Sequence, residues 1–427
     1  MRKVLVITYY WPPAGGPGVQ RWLKFVKYLR DFGFEPLVYI PENPNYPITD
    51  TSLLDEIPEG ITTYSLPIKE PYKLASFFSA KKTKRISSGI IQAQNQSPIE
   101  KAMLWVRGNF FIPDARKNWV KPSIRYLSKV ISSEKIDTII TTGPPHSVHL
   151  IGQGLKQDQA LKWIADFRDP WTSIGYHKKL KLTKSSKKKH KDLERQVLNA
   201  ADTIVVTSTS TKEEFQALTD VPIQVITNGY DVEIPANIDL DIKFSISHIG
   251  SLLTGRNPNN LWKVLKELTQ ENKAFAEAFE LHLIGVVSED VLHNIYAHEL
   301  EPFVRLTDYL THEEAVRRQR KSQVLLIIEI DSEDTVGIVP GKVFEYLAAK
   351  RPLLAIGPKG WNAGEIIKEC KAGEVYDYQD TDVMKSAIEQ WFEAYQNGKL
   401  HIASERIERY SRKQLTHKLA DILEKLP

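Results

Sequence analysis

The stretch VLVITYYWPPAGGPGVQRWLKFVKYL at residues 4–29 decides the fold class. It begins with the β-branched run Val4–Thr8, which predicts a buried β-strand. A loop of proline and glycine follows, and apolar residues then recur at helical spacing, namely Trp22, Phe25, Val26 and Leu29. A strand that passes through a glycine loop into an amphipathic helix predicts the first unit of a parallel α/β sheet.

The glycine loop is also a candidate ligand site. Glycine lets the backbone approach a bound group closely, and amides at the start of a helix attract phosphate or sugar hydroxyls. We therefore predict that Gly16 and Gly18 contact a bound phosphate or sugar; a purely structural turn is the alternative. A dinucleotide fingerprint needs a third glycine where Arg21 stands, so the loop disfavours an oxidoreductase.

The alternation of strands and helices continues along the chain. In the first half we predict strands at Val4–Thr8, Pro36–Tyr39, Asp137–Thr141, Trp163–Ala165 and Thr203–Val206. A polar stretch around Val232–Asp241 interrupts the pattern. A second series of strands follows at Phe244–Ile249, His282–Ile284, Val304–Leu306, Val324–Ile328 and Leu353–Ala355. The pattern predicts two doubly wound domains, residues 1–232 and 233–403, and apolar spacing predicts a closing helix at 404–427.

Length and composition agree with two soluble α/β domains. The chain has 427 residues, 42% hydrophobic and 26% charged, which is more than one hydrophobic core usually supports. Its single cysteine, Cys370, leaves no thiolate cluster for zinc and fits a reducing cytosol. The amino-terminal apolar run is too short for a signal peptide, and no run reaches the roughly 20 apolar residues that cross a bilayer. We expect a cytoplasmic protein.

Two loops that follow strands of the first domain carry candidate site residues. His146 follows the strand at Asp137–Thr141, where an imidazole with a reference pKa of about 6.5 can donate to a sugar hydroxyl or accept a proton. The next strand leads into Asp166, Arg168 and Asp169 beside aromatic residues. Either aspartate can bind an acceptor hydroxyl, and Arg168 can pair with a carboxylate or a phosphate. A turn histidine and a bracing ion pair are the structural alternatives.

A second glycine loop opens the second domain. Gly250 follows the strand Phe244–Ile249, and Arg256 precedes the next helix. A guanidinium fork matches phosphate geometry, so Arg256 is a candidate to hold a departing diphosphate in place of a metal ion. After the strand Val324–Ile328 the chain reads PGKVFEYLAAKRPLLA at residues 340–355.

This last segment resembles the donor-binding segment of family 4 glycosyltransferases of the GT-B fold. The glycine loop at Gly16, the segment Gly250–Arg256 and the stretch Ile226–Asp231 share the resemblance. The family implies two facing Rossmann-like domains with a cleft between them and a terminal helix that returns to the first domain. It further implies a nucleotide-diphosphate-sugar donor, retention of anomeric configuration and no metal.

The resemblance also assigns site residues. It makes Glu345 the ribose ligand, Arg256 a diphosphate ligand, and His146 the histidine directed at the donor sugar. Ser251 stands where the family commonly has an arginine, and Gly337 stands where it commonly has a glutamate. We expect the backbone amides of Gly337, Ile338 and Val339 to meet the donor sugar, and Lys342 to supply the missing positive charge.

Basic and aromatic stretches in the first domain predict a membrane contact. The segment Lys178–Lys191 is rich in lysine and is predicted to be a solvated, mobile loop. The basic run Lys81–Arg85 precedes an apolar stretch that contains Met103, Leu104, Trp105, Phe110 and Phe111. Such side chains suit anionic lipid headgroups, and no nucleic-acid module accompanies them. We expect a polyprenyl-linked or other glycan acceptor at the inner membrane face.

The sequence therefore predicts a retaining glycosyltransferase of cell-surface polysaccharide synthesis. Arg256 and Lys342 would stabilise the departing diphosphate, Glu345 would hold ribose, and His146 with Asp169 would orient the donor sugar and the acceptor. A sugar-nucleotide 2-epimerase of the same fold is one alternative. A catalytically silent membrane scaffold is another, because Ser251 and Gly337 replace polar groups.

Overall fold

The computed structural model describes residues 1–70, 98–178, 180–231 and 238–427. They form two compact α/β units, Met1–Asn228 with Arg412–Pro427, and Gly229–Ser411. Each unit is built on one parallel sheet, so the predicted pair of doubly wound sheets is confirmed. The basic run Lys81–Arg85 and residues 232–237, where the domain boundary was predicted, lie outside the described residues.

The first unit contains a seven-stranded parallel sheet in the order β3-β2-β1-β4-β5-β6-β7. Its strands are β1 (Arg2–Thr8), β2 (Phe34–Pro41), β3 (Thr63–Leu66), β4 (Thr138–Gly143), β5 (Lys162–Phe167), β6 (Thr203–Val206) and β7 (Ile223–Val225). Side chains of β1 alternate between two apolar cores, with Leu5 and Ile7 in one and Val4 and Val6 in the other. The central strand is therefore covered on both faces, as parallel sheets require.

The helices of the first unit cover these two faces. They are α1 (Pro17–Leu29), α2 (Pro98–Phe110), α3 (Lys117–Glu134), α4 (Ser147–Asp158), α5 (Gly175–Lys178), α6 (Lys184–Ala200) and α7 (Thr209–Gln216), with short 3-10 turns at Arg30–Phe32 and Thr51–Leu54. The apolar face of α1 forms one core with Leu415, Leu419 and Leu423 of the closing helix. Trp119 and Leu127 of α3 pack into the core on the other face.

The second unit contains a six-stranded parallel sheet in the order β10-β9-β8-β11-β12-β13. Its strands are β8 (Phe244–Ile249), β9 (Phe279–Ile284), β10 (Val304–Thr307), β11 (Val324–Ile328), β12 (Leu353–Ile356) and β13 (Gly373–Tyr376). Its helices are α8 (Asn259–Glu271), α9 (Lys273–Ala278), α10 (Glu289–Ala297), α11 (His312–Lys321), α12 (Lys342–Ala349), α13 (Asn362–Glu369) and α14 (Asp382–Gln396), with 3-10 turns at Glu301–Phe303 and Glu333–Thr335. Cys370 is fully buried in this unit.

The closing segment differs from the single helix predicted at 404–427. A 3-10 turn spans Ile407–Tyr410, and a separate helix, α15, spans Arg412–Glu424. Ile407 and Tyr410 pack in a core of the second unit, whereas Leu415 and Leu419 pack in a core of the first. Helical spacing alone did not predict this division, because the apolar residues before and after Ser411 recur at the same spacing but pack in different cores.

The lysine-rich segment also differs from its prediction. Instead of a mobile loop, its larger part is the first half of α6, which begins after Thr183 caps the amide of Ser186 at 3.2 Å. Ser186, His190 and Glu194 recur at a spacing of four and are buried, while the lysines between them face solvent. The helix was not predicted from this segment, because the buried positions in its lysine-rich half, Ser186 and His190, are polar.

Candidate functional site

Each sheet reverses its strand order at one place, and the predicted site residues follow the strands beside it. The reversal lies between β1 and β4 in the first unit and between β8 and β11 in the second. Doubly wound sheets bind ligands beyond the carboxyl ends of the strands at such a position. The loops after these strands carry the predicted residues Gly16, Gly18, His146, Gly250, Arg256 and the range 337–345.

Gly16 and Gly18, at the start of α1, have different surroundings. Gly16 has a φ of 107°, a conformation that L side chains rarely adopt, and no described atom lies within 4 Å of a Cβ added there. A Cβ at Gly18 would come 1.4 Å from Nη1 of Arg168. The guanidinium of Arg168 therefore lies directly against Gly18, at a position where the sequence predicted a ligand.

Asp166 was predicted, as an alternative to Asp169, to bind an acceptor hydroxyl, and the structure pairs its carboxylate with side chains of the protein. The residue is 1% exposed. Its Oδ1 accepts from Nη2 of Arg21 at 2.9 Å, and its Oδ2 accepts from Nε1 of Trp22 and Oγ1 of Thr142, both at 2.8 Å. Both oxygens are therefore used to join α1, β4 and β5.

Arg168 and Asp169 follow β5 in a half-buried loop. Arg168 donates from Nε to the carbonyl of Gly143 at 3.3 Å and from Nη2 to the carbonyl of Pro144. It braces the loop after β4 through backbone oxygens rather than through an aspartate. Burial raises the pKa of Asp169, and the charge of Arg168 opposes that rise.

His146 lies immediately before α4 and is 4% exposed. Its ring stacks on Trp171 with centroids 4.9 Å apart and planes 3° from parallel. Neither ring nitrogen has a hydrogen-bond partner among the described residues. Burial, with His149 and His177 nearby, lowers the pKa of His146 well below 6.5, so the imidazole is neutral near pH 7.

Asp114 fixes the turn that presents His146. Its Oδ2 accepts from the amide of Ser147 at 2.8 Å, and its Oδ1 accepts from Oγ of Ser147 at 2.9 Å. A carboxylate at this position satisfies an amide of the first turn of α4 and complements the helix dipole. Sequence reasoning did not predict this contact, because a helix, a strand and a loop separate Asp114 from Ser147.

In the second unit, the loop after β8 and the start of α12 bring positive charge together. Gly250 has a φ of 118°, and a Cβ added there would lie 3.1 Å from Nζ of Lys342. Burial and, to a smaller extent, the charge of Arg256 lower the pKa of Lys342 to about 8, against the opposing charges of Glu329 and Glu345. The structure thus places Gly250 and Lys342 in contact, with Arg256 close enough to influence the ammonium group.

Arg256 pairs with Glu329, a residue that the sequence did not single out. Nη2 of Arg256 lies 2.9 Å from Oε1 of Glu329, which also accepts from the amide of Ile330 at 2.9 Å. The Glu329 side chain is fully buried, whereas that of Arg256 is 28% exposed. Oε2 of Glu329 is buried without a hydrogen-bond partner among the described residues. The ion pair therefore orients Arg256 while leaving part of its guanidinium accessible.

The remaining predicted donor residues follow β11. Oε2 of Glu345 accepts from Nε2 of Gln319 at 2.9 Å, and the carboxylate is half-buried. The amide of Ile338 donates to the carbonyl of Thr335 at 3.0 Å. The carbonyl of Ile338 accepts from Nε1 of Trp361 at 2.7 Å. The turn containing Gly337 and Val339 is therefore held in place by its own contacts.

Within the described residues, the structure contains neither a cluster of metal-binding side chains nor a membrane-spanning helix. No three His, Cys, Asp or Glu side chains there are grouped as a metal site. No helix in the same ranges combines the length and apolarity needed to cross a membrane.

Comparison with known proteins gives one match to a family model. Residues 86–234 match the family model described as Glycosyltransferase Family 4. No curated protein sequence matches the chain significantly. The match covers the segment that contains His146, Asp166 and Asp169.

Solved structures share the fold over nearly the whole chain. A glycosyltransferase from Rickettsia africae has a TM-score of 0.59 at 12% identity, covering 100% of this chain and 99% of that one. The lipopolysaccharide outer core galactosyltransferase WaaB has a TM-score of 0.59 at 13% identity, covering 99% and 100%. An E. coli structure described as trehalose-6-phosphate bound with UDP-2-fluoro glucose has a TM-score of 0.60 at 10% identity, covering 100% and 99%. At such low sequence identity, the structural similarity shows the fold alone, and this is the GT-B fold.

Proposed function

We propose, from the premise that this chain is a glycosyltransferase with a family 4 domain, that it moves a sugar from a nucleotide-diphosphate sugar to a glycan or lipid-linked acceptor. Family 4 is a retaining family. One observation carries the donor assignment: Arg256 and Lys342 bring positive charge to the loops after β8 and β11, at the strand reversal of the second sheet. That is where a doubly wound sheet binds an anionic ligand.

The proposed chemistry is charge stabilisation of the leaving group. As the bond between the anomeric carbon and the phosphate oxygen breaks, negative charge grows on the nucleoside diphosphate. The Arg256 guanidinium and the Lys342 ammonium would oppose that charge from fixed positions. A pKa of about 8 leaves Lys342 mostly charged at pH 7. The half-buried Glu345 carboxylate would accept hydrogen bonds from the ribose hydroxyls.

In the first unit, His146 and Asp169 would orient the donor sugar and the acceptor hydroxyl. The neutral imidazole of His146 can donate one hydrogen bond and accept another, which matches a hydroxyl group. Gly16 would supply backbone with open space beside it. We propose that the reaction needs no metal ion, because the two cations of the second unit supply the positive charge that a metal would otherwise provide.

A thermal-shift titration tests the donor site. Uridine diphosphate is the first ligand to try, since one fold neighbour is bound with UDP-2-fluoro glucose. A ligand that binds only the folded state raises the melting temperature. We expect the same rise in magnesium and in EDTA, lost in Glu345→Ala and kept in Glu289→Ala, an exposed glutamate at the start of α10. Stabilisation that requires magnesium, or none by any nucleoside diphosphate, would contradict the proposal.

We further propose that the first unit docks on an anionic membrane, on the cytoplasmic side, where surface polysaccharides are assembled on lipid carriers. Helix α2 exposes Trp105, Val106 and Phe110, with exposed fractions of 42%, 42% and 60%. Asn109 of this helix bonds the amide of Thr183 at 2.9 Å and the carbonyl of Lys181 at 3.3 Å. The aromatic face of α2 is therefore fixed next to the exposed lysines of α6, which suits lipid headgroups.

Liposome co-sedimentation tests this surface. We expect binding to vesicles containing phosphatidylglycerol, weakened by salt and by the double variant Trp105→Ser/Phe110→Ser. Tyr309→Ser removes an 87% exposed aromatic from the second unit and should leave binding unchanged. Equal binding by both variants, or none by the native chain at low salt, would contradict membrane docking.

A further inference from the structure

Helix α10 contacts the loop after β8 through two side chains of one face. Asp290 and Asn294 are four residues apart in this helix, so they lie one turn apart on the same side. Oδ1 of Asp290 accepts a hydrogen bond from Oγ1 of Thr254 at 3.0 Å. Nδ2 of Asn294 donates to Oδ1 of Asn257 at 3.2 Å and to Oδ1 of Asn259 at 2.8 Å. One helix face therefore holds this loop at two separate places.

Arg256 lies between these two places in the chain. Its amide donates to the carbonyl of Leu253 at 3.0 Å, which closes a turn. Gly255 has a φ of 97°, and a Cβ added there would lie 3.5 Å from side-chain atoms of Ile330. Contacts with α10 thus fix the backbone before and after Arg256, while Glu329 fixes its guanidinium.

The segment that leads from β9 into α10 adds backbone contacts to the same loop. The amide of Leu252 donates to the carbonyl of Val286 at 2.8 Å, and the amide of Ser288 donates to the carbonyl of Leu252 at 3.0 Å. Nε1 of Trp262, a fully buried residue of α8, donates to Oδ1 of Asn257 at 2.7 Å. Asn257 therefore accepts hydrogen bonds from both α8 and α10, and the loop is held by its two neighbouring helices.

A fixed backbone matters for a long, flexible cation. Ser251 stands where the family resemblance predicts an arginine, so the charge at this loop comes from Arg256, with Lys342 of α12 beside it. Such a side chain stabilises a developing charge best when it is already held in place, because ordering it during the reaction costs free energy. The contacts with α10 supply that order through the backbone.

We infer that Asp290 and Asn294 are positioning residues, which hold Arg256 where it meets the diphosphate of the donor. This role rests on the proposed function and adds to it a helix outside the segments that the sequence assigned to the donor. Because both residues would act through Arg256, their effect on ligand binding should disappear when the charge of Arg256 is removed.

Calorimetric titration of uridine diphosphate tests this role in a double-mutant cycle. Asn294→Leu removes two hydrogen bonds at similar volume and should raise the Kd about five- to tenfold in the native chain. In the Arg256→Gln background, the same substitution should raise the Kd less than about twofold. His293→Ala changes an exposed neighbour on α10 and should leave the Kd unchanged. An equal rise in both backgrounds, or no rise in the native chain, would overturn the inference.

Variants of Asp290 separate positioning from folding. Asp290→Ala removes the acceptor for Thr254 and should weaken binding of uridine diphosphate about threefold to tenfold, as loss of a hydrogen bond does. Asp290→Asn retains an acceptor oxygen and should recover most of the affinity, whereas equal losses in the two variants would contradict the role of Asp290. Full affinity in Arg256→Gln would contradict the proposed donor site itself. A loss in Arg256→Gln with full affinity in Asn294→Leu and Asp290→Ala would overturn only the positioning role.

Discussion

The strand reversals of the two sheets carry opposite chemistry. In the first unit, these loops hold the buried, uncharged His146 beside aromatic rings, and Asp166 forms a buried ion pair with Arg21. In the second unit, Arg256 and Lys342 meet Glu329 at the corresponding position, and the Arg256 guanidinium remains partly exposed. Under the proposed function, the first sheet would serve hydroxyl groups and the second would serve phosphate.

The difference shows that, in one fold, the burial of an ion pair decides whether its charged groups can reach a ligand. A buried ion pair in the first unit fixes α1 to the sheet and leaves nothing for a ligand. An ion pair between a buried and a partly exposed side chain in the second unit orients a cation toward solvent. The two carboxylates, Asp166 and Glu329, look alike in sequence, because each is an acidic residue at the end of a central strand.

The largest expected effect is on the stability of the first unit. Asp166→Asn removes the charge opposite a fully buried Arg21 and should lower the free energy of unfolding by about 3–5 kcal/mol. Urea unfolding measures it, with Asp192→Asn on the exposed side of α6 as a control. A loss below about 1 kcal/mol together with weakened acceptor binding would make Asp166 a ligand instead.

The next effect is on catalysis in the second unit. Arg256→Gln keeps a donor toward Glu329 but removes the charge, and should lower kcat/KM for the donor about 10²–10³-fold, as loss of a transition-state contact does. Steady-state kinetics with a UDP-sugar measure it. Arg317→Ala, an exposed residue of α11, should change nothing. A decrease below about threefold would remove Arg256 from the proposed mechanism.

Acid should destabilise the first unit through its buried histidines. Burial lowers the pKa of His149 to about 3 from 6.5, so the unfolded chain binds a proton that the folded chain does not. Stability is therefore lost as pH falls below about 6.5, by about 1.4 kcal/mol per pH unit. His149→Gln should flatten this slope in urea unfolding between pH 6 and pH 4, and His401→Gln should not. Equal slopes would contradict a neutral His149.

The smallest effect is a displaced pH profile. Donor binding should weaken as pH rises through about 8, because Lys342 then loses its charge. Glu329 raises the pKa of Lys342, so Glu329→Gln should move the midpoint to lower pH. Calorimetric titration of uridine diphosphate at several pH values measures the midpoint. An unchanged midpoint would show that Glu329 only packs beside the lysine.

Central elements of the fold were predictable because burial imposes strong patterns. The continuous apolar runs of β1 and β11 mark strands covered on both faces. The strands β3, β7 and β13 were not predicted, since they are short edge strands and include half-exposed or exposed positions. The first half of α6 was not predicted as a helix, because its exposed positions are lysines and its buried positions are polar. Ser411 divides a segment whose helical spacing appeared continuous.

The candidate site was predictable where chemistry follows a strand directly. Gly250 and Arg256 were predicted from loop position and Lys342 through the family resemblance, and the structure brings them to one place. Partners that depend on tertiary contact were not, as with Asp114 at the start of α4. His177 and His190 were missed for another reason: His177 immediately precedes the lysine-rich segment interpreted as a loop and His190 lies in it, and only burial distinguishes them from surface histidines.

Hydrogen–deuterium exchange with saturating uridine diphosphate is the most direct test of the proposed division of roles. We expect slower amide exchange in peptides covering residues 250–256 and 337–345, and no change in those covering residues 177–200. Protection of residues 177–200 by the nucleotide, without protection beside Lys342, would contradict the assignment of the donor to the second unit.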